Sequence, residues 1–171
     1  MGKLKSTNTK QLSIQLIPNR LSNHFNSFIK YGKGIREYVT LHAPRRRWIP
    51  TVIVLWGPTG TGKTSFVWNS HPDNEIYPYA GEGSGIWFDG YYGQPIALFD
   101  EFHGGMFRLP YLLKLLDCFP MCVPIKGGFV SWVPKTIYLT SNINPLDWFP
   151  NANAEHVAAL FRRITEIKNM L

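Results

Sequence analysis

Apolar positions in this chain fall into short runs, each closed by glycine, proline or a polar cluster. Thr51-Val-Ile-Val-Leu-Trp56 is apolar almost without interruption and rich in β-branched residues, and it breaks at Gly57. That pattern predicts a buried strand. Ile96-Ala-Leu-Phe99 and Thr136-Ile-Tyr-Leu139 repeat it, the first running into two acids and the second into Thr140-Ser-Asn142. Ile76-Tyr-Pro-Tyr79 is a shorter extended piece. Ser65-Phe-Val-Trp-Asn-Ser70 predicts a helix that ends near His71-Pro72, because proline disfavours helix in the residue before it. Residues 109–118 predict a second helix, opened by Pro110, with Leu112, Leu113, Leu115 and Leu116 as its buried side. Residues 154–161 predict a third. Val123-Pro-Ile-Lys-Gly-Gly-Phe-Val130 predicts two short strands around Lys126-Gly127-Gly128, a hairpin tip.

The N-terminal third is patterned differently. Residues 1–11 are polar and basic, which predicts a mobile tail. Leu12-Ser-Ile-Gln-Leu-Ile17 fits a strand or a nascent helix before Pro18-Asn19. Phe25, Phe28 and Ile29 have helical spacing, and so do Ile35, Tyr38 and Val39. Gly32 and Gly34 lie between the two sets, which predicts two short helices with a break. Units that small bury themselves poorly and would pack on the main domain or on a neighbouring subunit.

The break at Gly57 is the most informative point in the chain. Gly57-Pro-Thr-Gly60-Thr-Gly62-Lys63-Thr64 fits G-x-x-x-x-G-K-[ST] in its expected place, after a strand and before a helix. Glycines let such a loop turn tightly and point N–H groups inward at phosphates. The following helix N-terminus adds partial positive charge. Lys63 supplies a point charge for β- and γ-phosphates, and the Thr64 hydroxyl is placed for Mg²⁺. The second signal is Asp100-Glu101, about forty residues on. At the C-terminal end of a central strand, Asp100 suits the metal shell and Glu101 suits a base that orients or deprotonates an attacking water. Asn142 could hold that water or sense the γ-phosphate, or it could turn the chain before Asn144-Pro145. Lys126, beside Gly127, could reach into a channel and touch phosphates, or be an ordinary turn lysine. Of Arg162 and Arg163, one could complete a neighbour's site in trans; otherwise they are surface or ion-pair residues. Trp87-Phe-Asp-Gly-Tyr-Tyr92 could stack on bases, but such residues more often cover a small core.

Length and charge narrow the picture. The 171 residues suit one full domain with a short extension, and 44% hydrophobic content argues against disorder. No run of 18 apolar residues is present to span a bilayer, and no cleavable signal is expected. Cys118 and Cys122 fit a reducing compartment without disulfides, and lack a second ligand pair for zinc. The net charge of +7 is N-terminal: residues 1–47 hold ten Lys and Arg against one acid, Glu37, and the remainder holds eight against ten. Arg45-Arg46-Arg47 is either a solvated linker or a contact to nucleic-acid phosphates or an acidic face, and runs of this kind also serve as nuclear addresses.

In order and spacing, the phosphate loop, Asp100-Glu101, the Lys126-Gly-Gly turn, Leu139-Thr-Ser-Asn142 and Phe161-Arg-Arg-Ile164 resemble the superfamily 3 helicase domain of replication-initiator (Rep) proteins of circular single-stranded DNA viruses, circoviruses and their relatives above all. The resemblance spans about residues 20–168. It implies an AAA+-like P-loop NTPase with a central parallel sheet over residues 48–171. A helical oligomerisation segment and basic linker would occupy 20–47, after a basic flexible tail at 1–19. It implies ATP and Mg²⁺ as cofactors, single-stranded DNA as partner, and self-association into a hexameric ring that unwinds DNA in the host cell nucleus. The phosphate contacts would be Gly57, Pro58, Thr59, Gly60, Thr61, Gly62, Lys63 and Thr64, with the metal held by Thr64 and Asp100. Lys63, Glu101, Asn142 and Arg162 or Arg163 would be catalytic. Lys126, Gly127, Arg45, Arg46 and Arg47 would meet DNA. The family's endonuclease domain has no counterpart: His24 and His42 form no H-x-H pair, so no nicking activity is expected. A non-catalytic nucleic-acid-binding or assembly module is the rival reading.

Overall fold

The computed structural model describes Tyr31, Gly32, Gly34, Tyr38, His42 and residues 45–81 and 85–171. The chain divides into two units, residues 1–42 and 43–171. The tail and the 12–17 piece fall outside the described residues. In the first unit the described residues are helical, Gly32 and Gly34 among them. The break expected at these two glycines is therefore not at their positions. The His42 ring stacks on Tyr38 at 4.1 Å, and its Nδ1–H donates to the Tyr38 carbonyl at 2.8 Å.

The second unit is built on five parallel strands. They are β1 (Thr51–Trp56), β2 (Ile76–Pro78), β3 (Ile96–Phe99), β6 (Thr136–Ser141) and β7 (Glu166–Asn169), in the order β2-β3-β6-β1-β7. A separate antiparallel hairpin is formed by β4 (Cys122–Ile125) and β5 (Gly128–Ser131), leaving Lys126 and Gly127 as its turn. The helices are α1 (Lys63–Ser70), α2 (Leu109–Leu115) and α3 (Ala154–Phe161). Asn153 caps α3, its Oδ1 accepting from Glu155 N at 2.7 Å.

Strand periodicity sorts the core into two layers. Val52, Val54, Ala97, Phe99, Ile137 and Leu139 face one side, with Leu112, Leu115 and Leu116 at α2, Leu160 of α3 and the aromatics Phe88, Phe102, Phe107 and Trp132. Leu55, Ile96, Leu98 and Tyr138 face the other, with Val67 of α1. Helices thus cover both faces, as the double-sided burial of parallel strands requires. The aromatic stretch resolves both ways: Phe88 and Tyr91 are buried, whereas Trp87 and Tyr92 are exposed.

Three expectations are corrected by the structure. Arg46 was expected at a nucleic-acid surface but is 1% exposed. Its guanidinium donates to the carbonyls of Leu115 at 2.6 Å, Lys114 at 2.9 Å and Phe119 at 3.1 and 3.2 Å. Lys114 and Leu115 are the last residues of α2, whose carbonyl end favours a cation through the dipole, and Phe119 lies in the turn that follows. Burial lowers the pKa of Arg46 and Asp117 opposes that shift. The same contacts explain why α2 stops at Leu115 rather than near Cys118. Trp132 Nε1 also donates to Leu115 O at 3.0 Å, and Cys118 N turns onto Asp117 Oδ1 at 2.7 Å. Leu113, expected among the buried leucines, is only partly covered.

Candidate active site

Because the sheet is parallel, β1, β6 and β3 release their chains at one edge, side by side. Trp56 pairs with Ser141 and Phe99 with Leu139, so the loop after β1, Asn142 after β6 and Asp100-Glu101 after β3 come together there. The strand that carries Asn142 lies between the other two, and this is how residues far apart in sequence meet.

Residues 57–62 form a tight loop with positive φ at Gly57 (149°), Gly60 (87°) and Gly62 (82°). At Gly57 a glycine is required by space as well: a Cβ would lie 2.4 Å from the Met170 carbonyl oxygen. Met170 N in turn donates to Trp56 O at 2.7 Å, so the end of β7 walls the loop. Pro58, Thr59 and Gly60 are exposed at the crest. Lys63 opens α1 and is 7% exposed. Its ammonium donates to Gly57 O at 2.8 Å and Pro58 O at 2.7 Å, with Thr61 Oγ1 at 3.5 Å. Thr61 Oγ1 donates to Pro58 O at 3.0 Å. The loop thus curls around its own cation, and no side chain caps the helix it leads into. Uncapped N–H groups and a central ammonium fit the phosphates of a nucleotide.

Thr64 Oγ1 donates to Asp100 Oδ1 at 2.7 Å. A hard octahedral cation with oxygens at about 2.1 Å holds neighbouring ligands about 3 Å apart, so a hydroxyl and a carboxylate this close fit Mg²⁺. Asp100 Oδ1 also accepts a short hydrogen bond from Thr140 Oγ1. Glu101 follows in the left-handed region (φ 51°), the only such non-glycine among the described residues. That conformation costs about 1–2 kcal/mol. Its N–H donates to Thr140 Oγ1 at 3.0 Å, and its side chain is exposed. Asn142 is exposed one residue beyond β6. Below it, buried Ser141 accepts from Trp148 Nε1 at 3.0 Å and lies 2.7 Å from Phe102 O, tying the acidic turn to the loop after β6.

The remaining expected residues lie elsewhere on the unit. Lys126 sits at the hairpin turn, its side chain 78% exposed and its ammonium 3.4 Å from Asp89 Oδ2. Gly127 beside it has φ 92°. Arg45 and Arg47 are exposed, flanking buried Arg46, so the triplet offers two surface cations rather than three. Arg162 is exposed directly after α3, whereas Arg163 is turned inward onto Asp117 at 2.5 Å and onto Ala159 O at 2.9 Å. Thr140, Ser141 and Met170 are the site residues that sequence reading missed. The one signal for the first two was a pair of hydroxyls closing an otherwise apolar strand.

A phosphate loop after β1, an acidic pair after β3 and a polar strand end between them define a P-loop NTPase fold of AAA+-like architecture. A model of the family described as RNA helicase matches residues 53–143, more than half of the chain. The chain belongs to that family and is a superfamily 3 helicase domain homologous to the Rep proteins of circoviruses. It is 37% identical over 142 residues to the replication-associated protein of pigeon circovirus, covering 81% of this chain and 42% of that protein. It is 33% identical over 148 residues to that of porcine circovirus 2, covering 84% and 46%. For human associated cyclovirus 1 the figures are 33% over 157 residues, 88% and 54%. The chain therefore spans about half the length of the curated relatives it matches.

Proposed function

We propose that this chain is an ATP-driven helicase or translocase domain that acts on single-stranded DNA during viral replication. The observation that carries the reading is the convergence of Lys63, Asp100-Glu101 and Asn142 at the ends of three adjacent parallel strands. In this reading Lys63 and the N–H groups of residues 57–64 offset phosphate charge. Thr64 and Asp100 hold Mg²⁺, which supplies charge neutralisation at the phosphates. Glu101 and Asn142 orient the attacking water, Glu101 at the exposed tip of the acidic turn and Asn142 from the neighbouring strand. Arg162 serves a neighbouring copy's site in trans, in a self-associated ring of six. Lys126 and Gly127, with Arg45 and Arg47, grip DNA phosphates, so binding is salt-dependent and tolerant of sequence. Residues 48–171 form the motor domain, 20–47 the oligomerisation segment and linker, and 1–19 a basic tail. The working compartment in this reading is the host cell nucleus.

The test is ATP hydrolysis against protein concentration, with and without single-stranded DNA, with Lys63→Ala as the blank. Turnover that rises faster than linearly with protein and increases with DNA supports the reading. Nucleotide binding without turnover at any concentration defeats it in favour of a non-catalytic module.

A further inference from the structure

We propose that Thr140 is a positioning residue that sets both acids of the site through a single hydroxyl. A threonine hydroxyl has one proton to give and two lone pairs to receive with. Here the proton goes to Asp100 Oδ1, and a lone pair accepts the N–H of Glu101 at 3.0 Å. The main chain of the same residue takes the next link, with Phe102 N donating to Thr140 O at 2.6 Å. One residue of β6 therefore receives three consecutive residues of the turn after β3.

The consequence is clearest at Glu101. Continued as a strand, the chain would carry this side chain along the alternation that puts Leu98 and Phe99 into the two core layers. The left-handed step at Glu101 (φ 51°) breaks that alternation and leaves the carboxylate exposed at the edge where the phosphate loop lies. A left-handed glutamate persists only where its surroundings hold it. Ser141 Oγ and Thr64 Oγ1 tether the turn at Phe102 and Asp100, and the one side-chain group bonded to Glu101's own backbone is the Thr140 hydroxyl. Thr140 is 1% exposed, so water does not replace its hydroxyl. Asp100 Oδ1 also accepts from Thr64, so the same hydroxyl fixes the oxygen that faces the phosphate loop. The inference rests on the proposed function for its kinetic consequence, but the hydrogen bonds that place Glu101 do not depend on it.

The experiment compares Thr140→Val, which keeps the shape and removes the hydroxyl, with Thr140→Ser, which keeps the hydroxyl. Thr140→Ala removes the same group without adding bulk and serves if the valine variant does not fold. The first readout is amide hydrogen exchange at Glu101 in nucleotide-free protein. Loss of the hydroxyl is expected to speed it about tenfold, the worth of one hydrogen bond, and serine is expected to restore it. The second readout is turnover against nucleotide affinity. Without the hydroxyl, kcat falls about ten- to hundredfold as the carboxylates lose their aim, whereas nucleotide affinity stays within about threefold. Unchanged Glu101 exchange in the valine or alanine variant overturns the proposal. So does a serine variant as impaired as the valine one, which would assign the effect to packing. Absent turnover in the unaltered chain defeats the proposed function alone, since the exchange readout still decides what Thr140 does.

Discussion

Arg163 reaches Asp117 with its Nη2 at 2.5 Å from Oδ2, and this pair separates two adjacent arginines that sequence alone leaves equivalent. Arg163 also donates to Ala159 O at 2.9 Å, so its guanidinium is committed to the end of α3 and the turn after α2. Arg162 is left facing outward. Arg162→Ala is expected to reduce turnover about a thousandfold or more without altering thermal stability, as loss of a trans arginine does. Arg163→Ala is expected to cost stability instead, about 1–2 kcal/mol for a partly exposed, hydrogen-bonded pair. Mixing Arg162→Ala with Lys63→Ala chains should restore part of the turnover, because each supplies what the other's interface lacks. Activity retained by Arg162→Ala and lost by Arg163→Ala at unchanged stability would reverse the assignment.

The same pair carries a pH dependence. Burial pushes the Asp117 carboxyl up, but hydrogen bonds from Arg163 and Cys118 and the Arg163 charge outweigh it, and the net pKa lies below the ordinary value. A carboxylate depressed in the folded state contributes stability above its unfolded pKa of about 3.9, and loses it as pH falls through the folded value. Asp117→Asn should therefore be less stable than the unaltered chain at neutral pH, with the gap narrowing below about pH 4. Urea denaturation at the two pH values checks this; a gap that stays constant removes Asp117 as its source.

Arg46 yields the sharpest contrast with its neighbours. Arg46→Met keeps the apolar stem and removes the guanidinium donors from Phe119 O, Lys114 O and Leu115 O, leaving Lys114 O with the Asp117 N–H and Leu115 O with Trp132 Nε1. A loss of about 2–4 kcal/mol is expected, since three carbonyls lose a charged donor at a buried site. DNA affinity should change little in whatever fraction stays folded. Arg45→Ala and Arg47→Ala should leave stability alone and each reduce the salt slope of DNA binding by about one. Titrations at several salt concentrations, beside denaturation curves, separate the two classes.

What was legible in the sequence follows from how each feature is encoded. The phosphate loop is contiguous, and its glycines are demanded by φ and, at Gly57, by the Met170 carbonyl, so the spacing itself carried the geometry. The interior strands β1, β3 and β6 are apolar because both their faces are covered, and apolar runs are easy to read. β7 is an edge strand, Glu-Ile-Lys-Asn with only Lys168 partly covered, and nothing in such a stretch announces pairing with β1. Arg46 was misplaced because a charge in a basic run is normally solvated, and only the three-dimensional end of α2 shows what it serves. Thr140 was passed over for the same kind of reason: its partners lie about forty residues away, in the turn after β3.

Asp89 and Lys126 give the last prediction. Asp89 Oδ1 accepts the Lys126 backbone N–H at 2.7 Å, which pins the hairpin turn, while Oδ2 lies 3.4 Å from the lysine ammonium. The carboxylate thus partly neutralises the ammonium that would meet a phosphate oxygen, and competes with DNA for it. Both side chains are well exposed, so the pair is worth only about 0.2–1 kcal/mol. Asp89→Asn keeps the acceptor for the backbone N–H and removes the competing charge. Affinity for single-stranded DNA should rise, by up to about fivefold, the equivalent of 1 kcal/mol. Asp89→Ala loses the turn contact as well and should gain less or lose. Lys126→Ala should abolish the gain from Asp89→Asn, because the carboxylate acts only through that lysine. Fluorescence anisotropy with a labelled oligonucleotide at low and physiological salt measures all three. If Asp89→Asn tightens binding equally in the Lys126→Ala background, the carboxylate repels DNA directly and does not act as a latch on the hairpin.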